Sequence, residues 1–252
     1  MSEYTFYQGL LIFWFALSVL IFFLLLFIAA PYGRHFHGGW GATIENNLGW
    51  ILMEAPAAFA FLFFFIIGER KGLIEWLFLG LWEVHYIHRS FIYPLGLRSK
   101  GKRIPLAIVF MGAIFNLVNA YLNGRYLFTF SKGYALKWLI SWRFLLGVSL
   151  FALGFAVNRQ ADHILRNLRR PGEKDYKIPY GGLYRWVSCP NYLGEIIEWI
   201  GWAIATWSLA GASFALWTFA NLAPRAHTHH RWYQAHFDDY PPERKALVPR
   251  IW

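Results

Sequence analysis

The sequence predicts an all-α integral membrane protein, a bundle of seven transmembrane helices, on three observations. Of its 252 residues, 57% are hydrophobic and only 15% are charged, whereas an average soluble domain has about 25% charged residues. The apolar residues form runs of about 20, the length that spans a bilayer as a helix. The basic residues that give a net charge of +10 lie mostly between these runs. We therefore interpret the positive charge as membrane topology and expect no nucleic-acid partner.

Six apolar stretches define the predicted spans along a single domain, residues 1–252. They are Tyr4–Gly33 with its core at Leu10–Ala30, Leu48–Gly68, Leu73–Leu95, Ile104–Leu122, Phe144–Val157 and Ile196–Leu222. The first stretch is longer than the apolar core of a signal peptide and lacks a basic start, so it is predicted to be a span. The only cysteine is Cys189, which excludes a disulfide scaffold.

The last stretch, Ile196–Leu222, is predicted to be two helices that turn near Ser208–Gly211. With that hairpin, 17 Lys and Arg residues fall on the side of the Gly96–Arg103 loop and 6 on the other, whereas a single helix gives 12 and 11. Basic residues accumulate on the cytosolic side of membrane proteins. The distribution favours seven spans, an external N-terminus and a cytosolic Asn158–Pro190 segment.

Charged residues within the predicted spans mark candidate functional positions, because a charge in the bilayer is costly and usually faces the protein interior. Glu54 lies in the middle of the second span. It is either half of a structural ion pair, with Arg89 as the candidate partner, or a buried neutral acid that donates a hydrogen bond to a ligand. His85 and His88 share the third span with Arg89, and we interpret them as interior histidines rather than metal ligands.

The cytosolic segment and the chain end carry polar residues at helical spacing. Asn158, Asp162 and Arg169 lie on one face of a helix that continues from the fifth span. Such a basic helix can bind lipid headgroups, but amides and a carboxylate beside an arginine also suit a phosphorylated nucleotide. The same pattern recurs in Asn191 with Glu195, and in the set Arg225, His229 and Tyr233. The glycine-rich fingerprints of soluble nucleotide folds are absent, so we expect cytosolic loops and helix ends to close over any nucleotide site.

Several stretches resemble the steroid 5α-reductase family, in particular its type 1 and type 2 branch, over nearly the whole chain. The matching segments are Tyr32–His35, His85–Tyr93, Asp162–Glu173, Ile178–Leu183, Asn191–Gly201, Tyr240–Pro241 and Arg244–Pro249. The resemblance implies NADPH as cofactor and a pocket, open to the lipid, for a 3-oxo-Δ4-steroid. It also implies hydride transfer to C5 of the enone, followed by protonation at C4.

The resemblance assigns roles by position. Glu54 and Tyr86 correspond to the catalytic pair that hydrogen-bonds the C3 carbonyl, a role in which burial in an apolar helix would keep Glu54 protonated. The implied cofactor-binding residues are Arg34, Arg98, Arg103, Asn158, Asp162, Arg169, Lys177, Asn191, Glu195, His229 and Tyr233. The implied substrate-binding residues are Met53, Tyr93, Met111, Phe115 and Trp199. Met53 and Met111 replace a glutamine and an arginine of the type 2 pattern, which makes the pocket more apolar and leaves the preferred steroid open.

Three other functions remain open at this point. A reductase of another conjugated lipid, such as a polyprenal or a sterol alkene, would use the same residues. A methyltransferase acting on a lipidated cysteine would leave Glu54 and Tyr86 without roles, and a non-catalytic sterol-binding protein would have no need for the polar set around Asn158. We expect membrane lipids and a steroid from the bilayer as partners and no metal, and the sequence leaves the oligomeric state open, with a monomer as one candidate. The membrane would be that of the endoplasmic reticulum in a eukaryote or the inner membrane in a bacterium.

Overall fold

The computed structural model describes residues 1–28, 39–97, 101–169, 173 and 175–252. This part of the chain is mainly helical, as the composition predicts. The long helices are α1 (Glu3–Phe27), α2 (Asn46–Ile67), α3 (Leu73–Ile87), α5 (Leu106–Arg125), α6 (Trp142–Asn167), α7 (Pro190–Thr206) and α8 (Leu209–His236). The described residues also contain a short helix α4 (Tyr93–Leu95), two π-helical segments, His88–Ile92 and Tyr126–Phe130, and two 3₁₀ turns, Leu136–Ile140 and Gly182–Arg185.

Two strands, which the sequence analysis did not predict, form a small antiparallel pair. β1 (Thr43–Glu45) pairs with β2 (Arg103–Pro105), with Ile44 opposite Ile104. Each strand leads directly into a long helix, β1 into α2 and β2 into α5. The pair therefore joins the starts of the two helices that carry Glu54 and Asn116.

Among the described residues, four helical stretches are long and apolar enough to cross a membrane. They are Glu3–Phe27, Asn46–Ile67, Leu106–Phe130 and Trp142–Asn167. The break predicted in Ile196–Leu222 is confirmed, since α7 ends at Thr206 and α8 begins at Leu209. Trp207 between them has a left-handed backbone with φ of 47°. The count of seven spans and their orientation stay predictions.

The third predicted span is not a regular helix throughout. After Ile87 it continues as a π-helical segment, His88–Ile92, before α4 begins. Single π turns inside α-helices occur frequently at functional sites. Here the π-helical segment begins two residues after Tyr86 and includes Arg89.

The chain divides into two compact units. Unit 1 comprises Met1–Ile12, Ala30–Leu145 and Thr206–Ala210, and unit 2 comprises Phe13–Ala29, Leu146–Ala205 and Gly211–Trp252. The boundaries fall within helices as well as between them, so neither unit is a continuous piece of sequence. The expectation of one domain over residues 1–252 stays a prediction.

In unit 1, glycines bring α2 and α5 together. A Cβ atom at Gly112 would lie 2.3 Å from Met53 Cγ, and one at Gly124 would lie 2.8 Å from Phe64 Cβ. Small residues allow such close helix packing in membranes, where the lipid gives no hydrophobic drive for association. The contact at Gly112 sets Met53 and Glu54 opposite the next turn of α5, which carries Asn116.

In unit 2, glycines at seven-residue spacing bring the backbones of α6 and α7 into contact. A Cβ atom at Gly154 would lie 2.3 Å from the Glu198 nitrogen, and one at Gly194 would lie 2.5 Å from the Asn158 nitrogen. Gly147 and Gly201 make equally close approaches to Ala205 and Phe151. This packing holds the polar end of α6 against the start of α7.

Candidate active site

Unit 1 joins Glu54 of α2 and Tyr86 of α3 through Asn116 of α5. The Tyr86 hydroxyl donates to Asn116 Oδ1 at 3.2 Å, and Asn116 Nδ2 donates to Glu54 Oε2 at 3.1 Å. The same Nδ2 donates to the Met53 carbonyl at 2.8 Å. Tyr86 and Asn116 are buried, while Glu54 retains 12% exposure of its side chain. The two residues assigned to the catalytic pair thus share one polar partner.

Arg89 lies on the other side of the Glu54 carboxyl. Its Nε atom is 3.8 Å from Glu54 Oε1, and its guanidinium carbon lies 4.9 Å and 5.0 Å from the ring centroids of Trp50 and Tyr93. Stacking between two aromatic rings holds the guanidinium in place. The ion pair considered as an alternative for Glu54 is therefore present in the geometry, and the role of Glu54 as a neutral donor stays a prediction.

Two further buried polar atoms, one in α3 and one in the π-helical segment, belong to residues that are close to Tyr86 along the chain. Glu83 Oε1 and Ser90 Oγ have no hydrogen-bond partner among the described residues. Glu83 precedes Tyr86 by three residues, and Ser90 follows it by four. These spacings place both on the helix face of Tyr86.

The residues assigned to the substrate differ in their surroundings. Met53 packs against Gly112, Tyr93 packs against Trp50 with ring centroids 5.8 Å apart, and Phe115 is half-buried. Met111 is 56% exposed on α5, a position that faces lipid if α5 spans the bilayer. Trp199 belongs to unit 2, where it is fully buried and lies 4.1 Å from Phe214 between ring centroids. Their contact with a steroid stays a prediction.

Unit 2 brings four of the predicted cofactor residues into one cluster. Asn158 Nδ2 donates to the Asn191 carbonyl at 3.0 Å and to Glu195 Oε2 at 3.3 Å. Asn191 Nδ2 donates to Asp162 Oδ1 at 3.1 Å. The cluster exists because Asn158 lies one turn beyond Gly154 on α6, where α7 packs closest. Spacing along each helix predicted the two pairs, and the structure joins them.

The polar part of α8 carries two more of the predicted cofactor residues, His229 and Tyr233, together with Arg225. His229 Nε2 lies 3.1 Å from the Tyr192 hydroxyl, and the guanidinium of Arg225 lies over the Tyr192 ring at 5.5 Å. Tyr233 is buried and stacks on Tyr240 with centroids 5.3 Å apart. His229 and Arg225 therefore meet on the start of α7, next to Asn191.

Three of the basic residues predicted to contact the cofactor already have protein partners. Arg103 donates to the side chain and carbonyl of Thr43 at 2.7 Å and 2.6 Å. Arg169 lies over the Tyr176 ring at 5.1 Å, and Lys177 forms an ion pair with Glu173. A phosphate ligand would have to compete with these contacts. Arg34 and Arg98 lie outside the described residues.

A second hydrogen-bonded group in unit 2 centres on Ser188, which the sequence analysis did not single out. Ser188 Oγ lies 2.6 Å from both His230 Nδ1 and the Tyr240 hydroxyl. Burial lowers the pKa of His230, and the positive charges of His227 and Lys245 add to the effect. Burial also raises the pKa of Tyr240, against the opposing effect of its hydrogen bond to Ser188. Both groups therefore favour their neutral forms and link the chain end to the start of α7.

Asn116 is the main functional candidate that the sequence analysis missed. Charge inside the spans marked Glu54 and Arg89, whereas the three asparagines of α5, Asn116, Asn119 and Asn123, are uncharged. A run of buried amides in an apolar helix is itself a signal, because each needs a hydrogen-bond partner away from water. Within the described residues, no group of three or more His, Cys, Asp or Glu side chains is arranged to hold a metal ion.

The chain matches a family model and is similar over most of its length to several known proteins. Residues 102–252 match the family model described as 3-oxo-5-alpha-steroid 4-dehydrogenase. The chain is 41% identical to the steroid 5-alpha-reductase DET2 of Gossypium hirsutum, across 100% of this chain and 99% of the relative. It is 41% identical to 3-oxo-5-alpha-steroid 4-dehydrogenase 1 of Bos taurus, over 93% and 92% of the two chains. Identity to 3-oxo-5-alpha-steroid 4-dehydrogenase 2 of Sus scrofa is 43%, over 90% and 91%.

Proposed function

The chain belongs to the 3-oxo-5α-steroid 4-dehydrogenase family of oxidoreductases, and we propose that it reduces the Δ4 double bond of 3-oxo-Δ4-steroids. Substrates of the testosterone or progesterone type would give the 5α-dihydro-3-oxosteroids. NADPH is the proposed cofactor, and when bound it supplies the hydride that adds to C5. A proton then adds to C4, so the enone becomes a saturated ketone and the cofactor leaves oxidised.

The single observation that carries this proposal is the hydrogen-bonded group of Tyr86, Asn116 and Glu54 in unit 1. Hydride addition at C5 moves negative charge through the enone onto the C3 oxygen. The Tyr86 hydroxyl and a protonated Glu54 are donors suited to that oxygen, and such donors lower the barrier where charge develops. Tyr86 is buried and Glu54 is largely shielded, and the low exposure to water strengthens the hydrogen bonds that they make.

The cluster in unit 2 supports the cofactor assignment through its chemistry. Asn158, Asn191, Asp162 and Glu195 offer amide and carboxylate groups suited to ribose hydroxyls and a carboxamide. Arg169 and Arg225 supply cationic groups for phosphates. The residues present therefore fit a phosphorylated dinucleotide, which this cluster would bind and orient.

Turnover by the purified protein tests the proposal. We expect NADPH-dependent conversion of testosterone or progesterone to the 5α product, with the stereochemistry identified by mass spectrometry against 5α and 5β standards. An unsaturated steroid that lacks the 3-oxo group is the matched control and should not react, because it offers no oxygen for Glu54 and Tyr86. Reduction of a polyprenal or a sterol alkene without any turnover of 3-oxo-Δ4-steroids would instead support a reductase of other lipids.

The proposed site of action is a membrane. The four apolar helices support membrane insertion. The endoplasmic reticulum is the proposed location in a eukaryotic host and the inner membrane in a bacterial one. A steroid would then reach unit 1 from the bilayer in which it partitions.

A further inference from the structure

We propose that Asn116 is a positioning residue, which holds the Glu54 carboxyl and the Tyr86 hydroxyl in the arrangement that receives the C3 oxygen. The inference rests on the proposed function, because it assigns Asn116 a role through that pair. Asn116 reaches both members of the pair, and it is buried to 4% exposure. It touches the reacting oxygen only through the two residues it holds.

The other two asparagines of α5, Asn119 and Asn123, provide a comparison, because neither is assigned a positioning role. Asn119 Nδ2 donates to the Phe115 carbonyl at 2.9 Å, and Asn123 Nδ2 donates to the Asn119 carbonyl at 3.0 Å. These two bonds run back along α5, and Asn123 Nδ2 also donates to the Ala210 carbonyl at 3.5 Å. The hydrogen bonds of the Asn116 amide run to α2 and α3, the two helices that carry the catalytic pair.

The orientation of the Asn116 amide is set by the backbone. Nδ2 faces the Met53 carbonyl at 2.8 Å, and a carbonyl oxygen can only accept a hydrogen bond. The reversed amide would place two acceptors together, so Oδ1 must face Tyr86.

The bond lengths indicate that the two hydrogen bonds from Asn116 Nδ2 are stronger than the one that Tyr86 donates to Asn116. The two bonds from Nδ2, at 2.8 Å and 3.1 Å, lie within the usual range for N–H···O. The bond from the Tyr86 hydroxyl, at 3.2 Å, exceeds the usual O–H···O range. A substrate oxygen that gains negative charge is a stronger acceptor than Asn116 Oδ1. Tyr86 is therefore aligned by Asn116 and can transfer its hydrogen bond to the substrate.

The test compares Asn116→Leu and Asn116→Gln by steady-state kinetics with a 3-oxo-Δ4-steroid. Leucine keeps the branching and the number of side-chain heavy atoms of asparagine without its polar atoms, and we expect it to lower kcat roughly 10- to 100-fold, as misplacement of catalytic groups does, with KM for steroid and cofactor little changed. Glutamine keeps the amide and should retain more activity. A packing role predicts the opposite order, because glutamine is one methylene longer than asparagine whereas leucine keeps its length and branching. Leucine at or above glutamine would overturn the proposal.

A second measurement tests the coupling to Tyr86. Combined with Tyr86→Phe, Asn116→Leu should cost much less than it does alone, because residues that act as a unit are non-additive. Asn119→Leu in the same helix is the matched control and should combine multiplicatively with Tyr86→Phe. Multiplicative losses for Asn116→Leu as well would refute a positioning role. If Asn116→Leu fails to bind NADPH, and so has not folded, the cycle is measured with Asn116→Gln and read the same way.

Failure of this inference is distinguishable from failure of the proposed function. If Tyr86→Phe and Glu54→Ala are severely impaired while Asn116→Leu turns over like the wild type, only the role of Asn116 is wrong. If Tyr86→Phe and Glu54→Ala themselves turn over normally, the catalytic pair is wrong and the positioning role falls with it.

Discussion

We expect Glu54→Ala and Tyr86→Phe each to lower kcat by about 10²–10³-fold, because each removes one donor to the oxygen on which charge develops. NADPH binding should persist in both variants, since neither residue is among those assigned to the cofactor. If the two donors act independently, the losses multiply in the double variant. If they act as a unit, the double variant falls well short of that product.

The structure distinguishes the side effects of the two substitutions. Tyr86→Phe removes only a hydroxyl, and the ring keeps its contact with Trp82 at 4.9 Å between centroids. Glu54→Ala removes an acceptor of Asn116 Nδ2 and the carboxylate 3.8 Å from Arg89. Losing the partner of a buried polar group costs about 1–3 kcal/mol, so Glu54→Ala should also lower the free energy of unfolding. Glu54→Gln retains the shape and a donor, and should be more stable than Glu54→Ala.

Single-turnover kinetics with a 3-oxo-Δ4-steroid separate the chemical step from binding. Glu54→Gln should be more active than Glu54→Ala if hydrogen-bond donation is the whole role of Glu54. If Glu54 also supplies a mobile proton, the two variants should be equally inactive. Near-wild-type turnover of Glu54→Ala would remove Glu54 from the mechanism and favour a purely structural ion pair with Arg89.

Four further predictions follow from other parts of the molecule. The protein should prefer NADPH to NADH, because the basic residues assigned to the cofactor can bind the additional phosphate of NADPH. Similar kcat/KM values for the two cofactors would contradict this. Cysteines placed at positions 170 and 245, in a background without the native cysteine, should label from the same side of the membrane; opposite sides would refute the seven-span topology. Gly154→Ala should lower the unfolding free energy by about 1–3 kcal/mol, since its Cβ would meet backbone atoms, whereas Gly80→Ala, with open space around it, should not. Because burial lowers the pKa of His230, which lies beyond the apolar part of α8, its contribution to stability should be complete above about pH 6.5 and be lost as the pH falls; an unfolding temperature with the same pH profile in His230→Gln would refute this.

The sequence by itself determined the helical elements and the polar residues that matter within them. Apolar run length located the long helices, because spanning helices must satisfy all backbone groups internally. The distribution of basic residues predicted the break between α7 and α8, which the structure places at Trp207 and Ser208. Charge inside an apolar run marked Glu54 and Arg89, and helical spacing marked Asn158 with Asp162 and Asn191 with Glu195.

Only the tertiary structure decided which of these residues meet. In a soluble helix the apolar face shows which side is buried, but in a membrane helix the lipid-facing side is as apolar as the core, so the sequence gives no rotation about the helix axis. The rotation is set by close contacts such as Gly112 with Met53 and Gly154 with Glu198. Those contacts place Asn116 between Glu54 and Tyr86, and bring Asn158 to Glu195. Neither pairing follows from spacing along one helix, because each depends on how two helices pack.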